Sequence, residues 1–394
     1  MQPASQKELS ARIPALDGIR SILMLLLMFF HFWQQDWIAT PSLALGPFYI
    51  NGYLIAALGF LGVEVLCVLS GFLLYLPLAG GKTMRPGEFF LKRFVRVYPS
   101  YLLALLVCAL LPLSPFTSLK EWLFQLGGHL LCLNLHPAFL FDRFNGVFWF
   151  VSLELCFTLL FPLLVPAMRK APTLTLLGCA LACILFRAWM LRLSDETRIW
   201  QNQLPAMLDC FVAGMFTAHV AHLCRELPRR FGSAVFFAGA MLFGYVFIAI
   251  GFHLGQNIGG TSGTQYYQSL YRPLTTLAGC LMIGGAALAP EPFQRVLGCR
   301  PLGFIAMISY NLFLWHQWLS VKIKFWIWGF TPGMLPDEYA ALHPGWQVWH
   351  MLASFALSIL LATLATFLVE RPLIRLLQRR KARRTSEEAV SSSL

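Results

Sequence analysis

Arg20 and His31 stand eleven residues apart in LDGIRSILMLLLMFFHFWQQDW, residues 16–37. At about 100° per residue, eleven residues make three turns plus about 20°, so both side chains share one helical stripe. They are separated along that stripe by about 16 Å. The run is apolar and long enough to cross a bilayer. With Arg20 at the inner headgroup level, His31 falls near the middle of a hydrocarbon core about 30 Å thick. An ionisable group at that depth costs at least ~2–3 kcal/mol, so it faces a cavity and has a task there. A neutral imidazole suits general-base work, and a nearby carboxylate can fix its tautomer. Glu64 falls about 15 Å into the second apolar run and Glu154 about 10 Å into the fourth. His316 falls in the outer half of the ninth.

A second constellation lies in RPGEFFLKRFVRVYPSY. Arg93 and Arg96 share a helical face at i, i+3, with Lys92 beside them. Arginines at a helix end suit a phosphate-rich ligand. No GxxxxGK[ST] and no strand–GxGxxG–helix context is present, which argues against ATP and dinucleotides. The ten cysteines and nine histidines show no metal-ligand spacing, and no metal is expected.

These residues need a scaffold, and composition defines it. Mean hydropathy is +0.65, with 58% hydrophobic and only 12% charged residues; a soluble chain carries about 25% charged. About ten transmembrane helices are expected, near 17–37, 54–78, 94–112, 147–168, 172–191, 203–223, 231–251, 271–289, 302–320 and 348–370. The net charge of +12 is distributed by topology, not as a nucleic-acid footprint. Twenty-two of the thirty Lys and Arg fall at the termini and in alternate connections. That pattern puts both termini in the cytoplasm. The fold class is therefore all-α and polytopic. One membrane domain fills residues 1–375, and a basic, disordered cytoplasmic tail follows at 376–394. SLKEWLFQLGGHLLCLNLH reads as an interfacial or re-entrant helix anchored by Trp122. Residues 326–347 read as an outer lid.

The same segments resemble the acyltransferase 3 family of integral-membrane acyltransferases, in that family's order. LDGIRSILMLLLMFFH is similar to its first-helix signature and GVEVLCVLSGFLL to its second-span motif. FLKRFVRVYPSY resembles its R-x-x-R loop, and FWFVSLELCFTLLFPLL its Trp-Ser-Glu segment. ISYNLFLWHQWL and LVERPLIRLL resemble its late Trp-His and closing Glu-x-Pro segments. Phe150 and Val151 depart from the usual Ser-Leu, and Leu155 replaces a common second acid.

The resemblance implies transfer of an acyl group, most often acetyl, from cytoplasmic acyl-CoA to a hydroxyl of a sugar or lipid-linked glycan. It implies His31 as the catalytic histidine, Arg20 as its paired arginine, and Glu154 as the acid of the fourth span. Arg93, Arg96 and Lys92 would handle acyl-CoA. Trp149, Ser152 and His316 would meet the acceptor. A bacterial inner membrane is the implied location. The plainer reading makes Glu64 and Glu154 interhelical hydrogen-bond partners and the arginines topology signals. The rival from another class is a secondary transporter with the His and Glu groups as a proton relay. Such transporters commonly show two related halves, which are not evident here.

Overall fold

Backbone in hydrocarbon must satisfy its own hydrogen-bonding groups, so the apolar runs become helices. The computed structural model describes residues 13–45, 48–140, 143–193, 200–255, 260–330 and 335–376. The tail expected at 376–394 lies outside them from 377 onward.

The helices are α1 (Pro14–Asp36), α2 (Gly52–Leu58), α3 (Gly62–Ala79), α4 (Pro86–Leu110), α5 (Leu119–Leu130) and the single turn α6 (Pro137–Leu140). They continue with α7 (Phe148–Lys170), α8 (Pro172–Leu193), α9 (Leu204–Leu223), α10 (Arg230–Gly255) and α11 (Gly260–Leu288). The last are α12 (Glu291–Leu297), α13 (Arg300–Trp326), α14 (Pro336–Leu342) and α15 (Trp346–Ala365), which runs into a π turn at Thr366–Glu370. Among the described residues the only strands are a short antiparallel hairpin, Ser42–Leu45 with Phe48–Asn51.

Eight of these helical stretches are long and apolar enough to cross a membrane, and a ninth appears when α11 and the sharply bent α12 count together. The tenth expected span is α13. It falls outside that set because Arg300, Asn311, His316, Gln317, Lys322 and Lys324 lower its hydropathy. It is nonetheless 27 residues long and packed between α1 and α15. Asn311 and His316 are fully buried there and so face protein instead of lipid.

The bundle is built around α1, which contacts α3, α13 and α15. Leu16, Ile19, Leu23 and Leu27 recur at helical spacing and are all buried. A second nucleus joins α3, α9 and α11. Here Gly71 and Gly214 let two backbones touch: a Cβ on Gly71 would strike the Phe211 carbonyl, and one on Gly214 the Val68 carbonyl. Small residues at such crossings permit close van der Waals packing in membranes. By contrast, α8 and α10 expose Leu177, Leu181, Leu185, Phe237, Met241 and Ile248, as lipid-facing helices do.

Two connections fold back onto the bundle. Trp122 Nε1 donates to the Ala109 carbonyl (3.0 Å) and pins α5 to the end of α4. The stretch after α13 folds onto α15 as a buried aromatic cluster of Phe330, Tyr339 and Trp346; residues 331–334 lie outside the described set.

Candidate active site

Unbroken α1 holds Arg20 and His31 on one rod, and both ends of the rod are tied down. At the start, the Ala15 N–H, which has no partner inside the helix, donates to Gln294 Oε1 (3.0 Å). Nearly two turns on, Ser21 Oγ donates to the Leu302 carbonyl (2.6 Å). At the far end, Lys324 Nζ donates to the Gln35 carbonyl (2.8 Å) and Gln347 Nε2 to the Asp36 carbonyl (2.9 Å). Asp36 and His350 form a fully buried pair at 3.1 Å. His350 has no spacing that marks it in the sequence.

Arg20 is half-buried and close enough to Arg93, Arg96, Glu154 and Asp17 to feel their charges. Arg96, which is exposed, also lies within charge range of Glu370 in the π turn. The structure thus gathers Arg20, Arg93, Arg96 and Glu154 from three helices into one basic cluster. Glu154 is steadied by Ser70 Oγ, which donates to its Oε1 (2.7 Å), and this gives the Ser of the SGFL segment a role. Glu370 accepts from Asn311 Nδ2 (2.8 Å). With Arg371, which also lies within charge range of Glu370, four arginines stand against the three acids Asp17, Glu154 and Glu370, and Arg93 Nε is buried without a partner. Tyrosines hold α4 in place. Tyr310 Oη donates to the Val97 carbonyl (2.8 Å), one residue past Arg96, while Tyr98 and Tyr101 bond the Leu130 and His129 carbonyls.

Eleven residues along α1, His31 meets His316 of α13 with ring centroids 5.1 Å apart. His316 is fully buried. Its Nδ1 faces the Phe313 and Leu312 carbonyls at 2.8 and 3.1 Å. Carbonyls only accept, so Nδ1 carries the proton and Nε2 keeps its lone pair. That Nε2 has no partner. His31 Nδ1 lies 3.2 Å from Gln34 Oε1; with this amide oxygen accepting from Nδ1–H, His31 Nε2 keeps its lone pair as a base. The arrangement can accept one proton from a bound hydroxyl.

The carboxylate expected beside His31 is replaced by Gln34 and a second imidazole. Glu64 is elsewhere: it is fully buried and accepts from Arg272 Nε (2.8 Å) and Gln268 Nε2 (3.1 Å). A guanidinium in a low-dielectric interior claims the carboxylate first. Lys92 also stands apart, on an exposed surface with Glu88 (3.5 Å). Trp149 is half-buried at the start of α7. Its neighbour Phe150 packs on Phe313 (5.1 Å), which in turn packs on His316 (5.8 Å). Ser152 is buried, with its Oγ unpartnered. Sequence reasoning misses Gln34, Ser70, Tyr310 and Asn311. Only Gln34 carries a local signal, lying one turn beyond His31.

The chain matches the family described as acyltransferase domain over residues 13–371. It is 27% identical over 342 residues to the exopolysaccharide production protein ExoZ of Rhizobium meliloti (strain 1021), an alignment covering 84% of this chain and 93% of that one. It is 28% identical over 176 residues to the acyltransferase MdmB of Streptomyces mycarofaciens, so the chain spans under half of that relative, 43% of each. The matched region runs from the start of α1 through the π turn, and so includes the basic cluster and the imidazole pair. This chain belongs to the acyltransferase 3 family.

Proposed function

We propose that this chain is an O-acyltransferase that takes an acyl group, most simply acetyl, from acyl-CoA at the basic end of α1. It passes that group to a hydroxyl of a glycan or lipid-linked sugar that enters from the opposite face. The observation that carries this reading is the division of one helix. Surplus arginines suited to a polyanion lie at one end, and a free imidazole pair lies eleven residues on. Arg93 and Arg96 would hold the diphosphate of acyl-CoA, and Arg20 would face the start of the arm that carries the thioester on to His31. Glu154 orients those guanidiniums.

His31 Nε2 removes the proton from the acceptor hydroxyl as its oxygen attacks the thioester carbonyl. The C–S bond then breaks, and the departing thiolate takes up the proton, so one ester and one free thiol are made. His316, with an unpartnered lone pair 5.1 Å away centroid to centroid, stabilises the imidazolium. Both termini and the arginines would lie in the cytoplasm of a bacterial inner membrane. A sugar acceptor is favoured by the exopolysaccharide name of one relative.

The test uses purified full-length protein in vesicles, radiolabelled acetyl-CoA and glycan extracted from a deletion strain. Label should move to the glycan with one thiol freed per ester. Glycan movement across the vesicle membrane without thiol release would replace this reading with a transporter.

A further inference from the structure

At the basic end of the bundle, the last helix does something no other helix does among the described residues. Pro372 has no N–H, so the α-helical bond to Leu368 cannot form, and residues Thr366–Glu370 wind as a π turn in which the Arg371 N–H reaches the Thr366 carbonyl. Such widened turns occur frequently at functional sites. This one opens beside a cavity of about 340 Å³ lined by Met307, Thr366, Glu370, Arg371, Ile374 and Arg375. The volume lies at the lower end of the small-molecule range, about 300–1,000 Å³.

The lining is polar where it matters. The Arg371 guanidinium rests 4.4 Å from the centre of the Phe367 ring and against the Met307 sulfur. It is thus positioned by packing, within charge range of Glu370. Arg375 is exposed. Glu370 is the cavity's acid; Asn311 holds it (2.8 Å), and Arg96 lies within its charge range. Glu370 lies within charge range of both Arg96 and Arg371, so the arginines of this cavity adjoin the cluster of Arg96, Arg93 and Arg20.

We propose that this cavity is a phosphomonoester subsite that takes the 3′-phosphorylated nucleotide end of the donor, Arg371 and Arg375 gripping the ribose phosphate. The proposal rests on acyl-CoA being the donor. Arg93 and Arg96 then face the diphosphate bridge. The pantetheine arm follows α1 toward His31, about 16 Å beyond Arg20 at 1.5 Å per residue. Glu370 can only accept hydrogen bonds when ionised, so it suits the amino edge of the purine and sends the phosphate to the arginine side. A second source of the same chemistry, the phosphate of an anionic lipid, is separated by the test.

Full-length protein in neutral-lipid nanodiscs is titrated with CoA, with dephospho-CoA and with 3′-phosphoadenosine 5′-phosphate. Wild type should prefer CoA over dephospho-CoA, and the bisphosphate should compete with CoA. Arg375→Gln should weaken CoA about threefold to tenfold and leave dephospho-CoA unchanged. Arg371→Lys, which keeps the charge but loses the planar fork, should fall between. Equal wild-type affinity for the two coenzymes overturns the subsite while leaving the donor reading intact. So does an Arg375→Gln effect of equal size on both coenzymes. Displacement of CoA by anionic lipid, with no preference for the 3′-phosphate, reassigns the cavity to a headgroup. Failure of both coenzymes to bind removes the donor reading, and the subsite with it.

Discussion

Arginine and carboxylate meet in two regions of this bundle and are used in opposite ways. Between α3, α9 and α11, Arg272 is bound to Glu64 and, through its Nη1, to the Gln201 and Ala206 carbonyls. Arg187 clasps both oxygens of Asp209 and also reaches the Ala206 carbonyl. All four side chains are essentially excluded from solvent, and the charges balance. At the start of α1, Arg20, Arg93 and Arg96 crowd together with two acids, Asp17 and Glu154, in charge range of Arg20. The first network fastens four helices, α8 among them, through buried charges paired one to one, which cost little only while paired. The second keeps cations apart from equal numbers of anions. It is built to receive negative charge from elsewhere.

If that division is right, variants in the two regions fail differently. The largest effect belongs to the imidazole pair that the basic cluster serves. His31→Gln should reduce acyl transfer about 10²–10⁴-fold with the thermal unfolding midpoint in detergent unchanged. Transfer within threefold of wild type would dissolve the catalytic side of the contrast. In the balanced network, Glu64→Ala strands Arg272 and should cost about 3–5 kcal/mol of stability, read as early unfolding and low recovery of monodisperse protein. Replacing both partners, Glu64→Leu with Arg272→Leu, should recover most of that loss, since it removes the orphaned charge. No recovery would mean that Glu64 does more than pair.

The basic cluster should respond the other way. Arg93→Ala with Arg96→Ala should leave stability unchanged and weaken acyl-CoA binding about 10–100-fold, with the remaining affinity less sensitive to salt. Loss of fold with unchanged affinity would merge the two regions into one kind. The smallest change sharpens the picture. Tyr310→Phe removes only the tether to the Val97 carbonyl and should cost about 1 kcal/mol. It should raise KM for the donor with kcat held, because α4 keeps its arginines but loses their registration.

Some of this was legible in the residues themselves. The Arg20–His31 stripe, the apolar runs and the Arg93–Arg96 face follow from periodicity, and α1 and α4 are continuous helices over those positions. The Gly of SGFL needs its neighbour to be understood, since only the Phe211 carbonyl from α9 shows why no side chain fits at Gly71. Depth alone set Glu64 beside His31. Depth along a helix says nothing about the face it turns or the cation waiting there, and Arg272 lies 208 positions away in the chain.

What the sequence by itself determined is therefore everything governed by local period and composition: a membrane bundle of helices, the spacing of arginine and histidine on the first, and the basic ends. Tertiary structure alone decided which charges are spent on each other and which remain for a ligand. The reason is physical. Helical geometry is written in steps of three and four residues, whereas the pairing of a buried carboxylate depends on whichever guanidinium the packing of distant helices brings within about 3 Å.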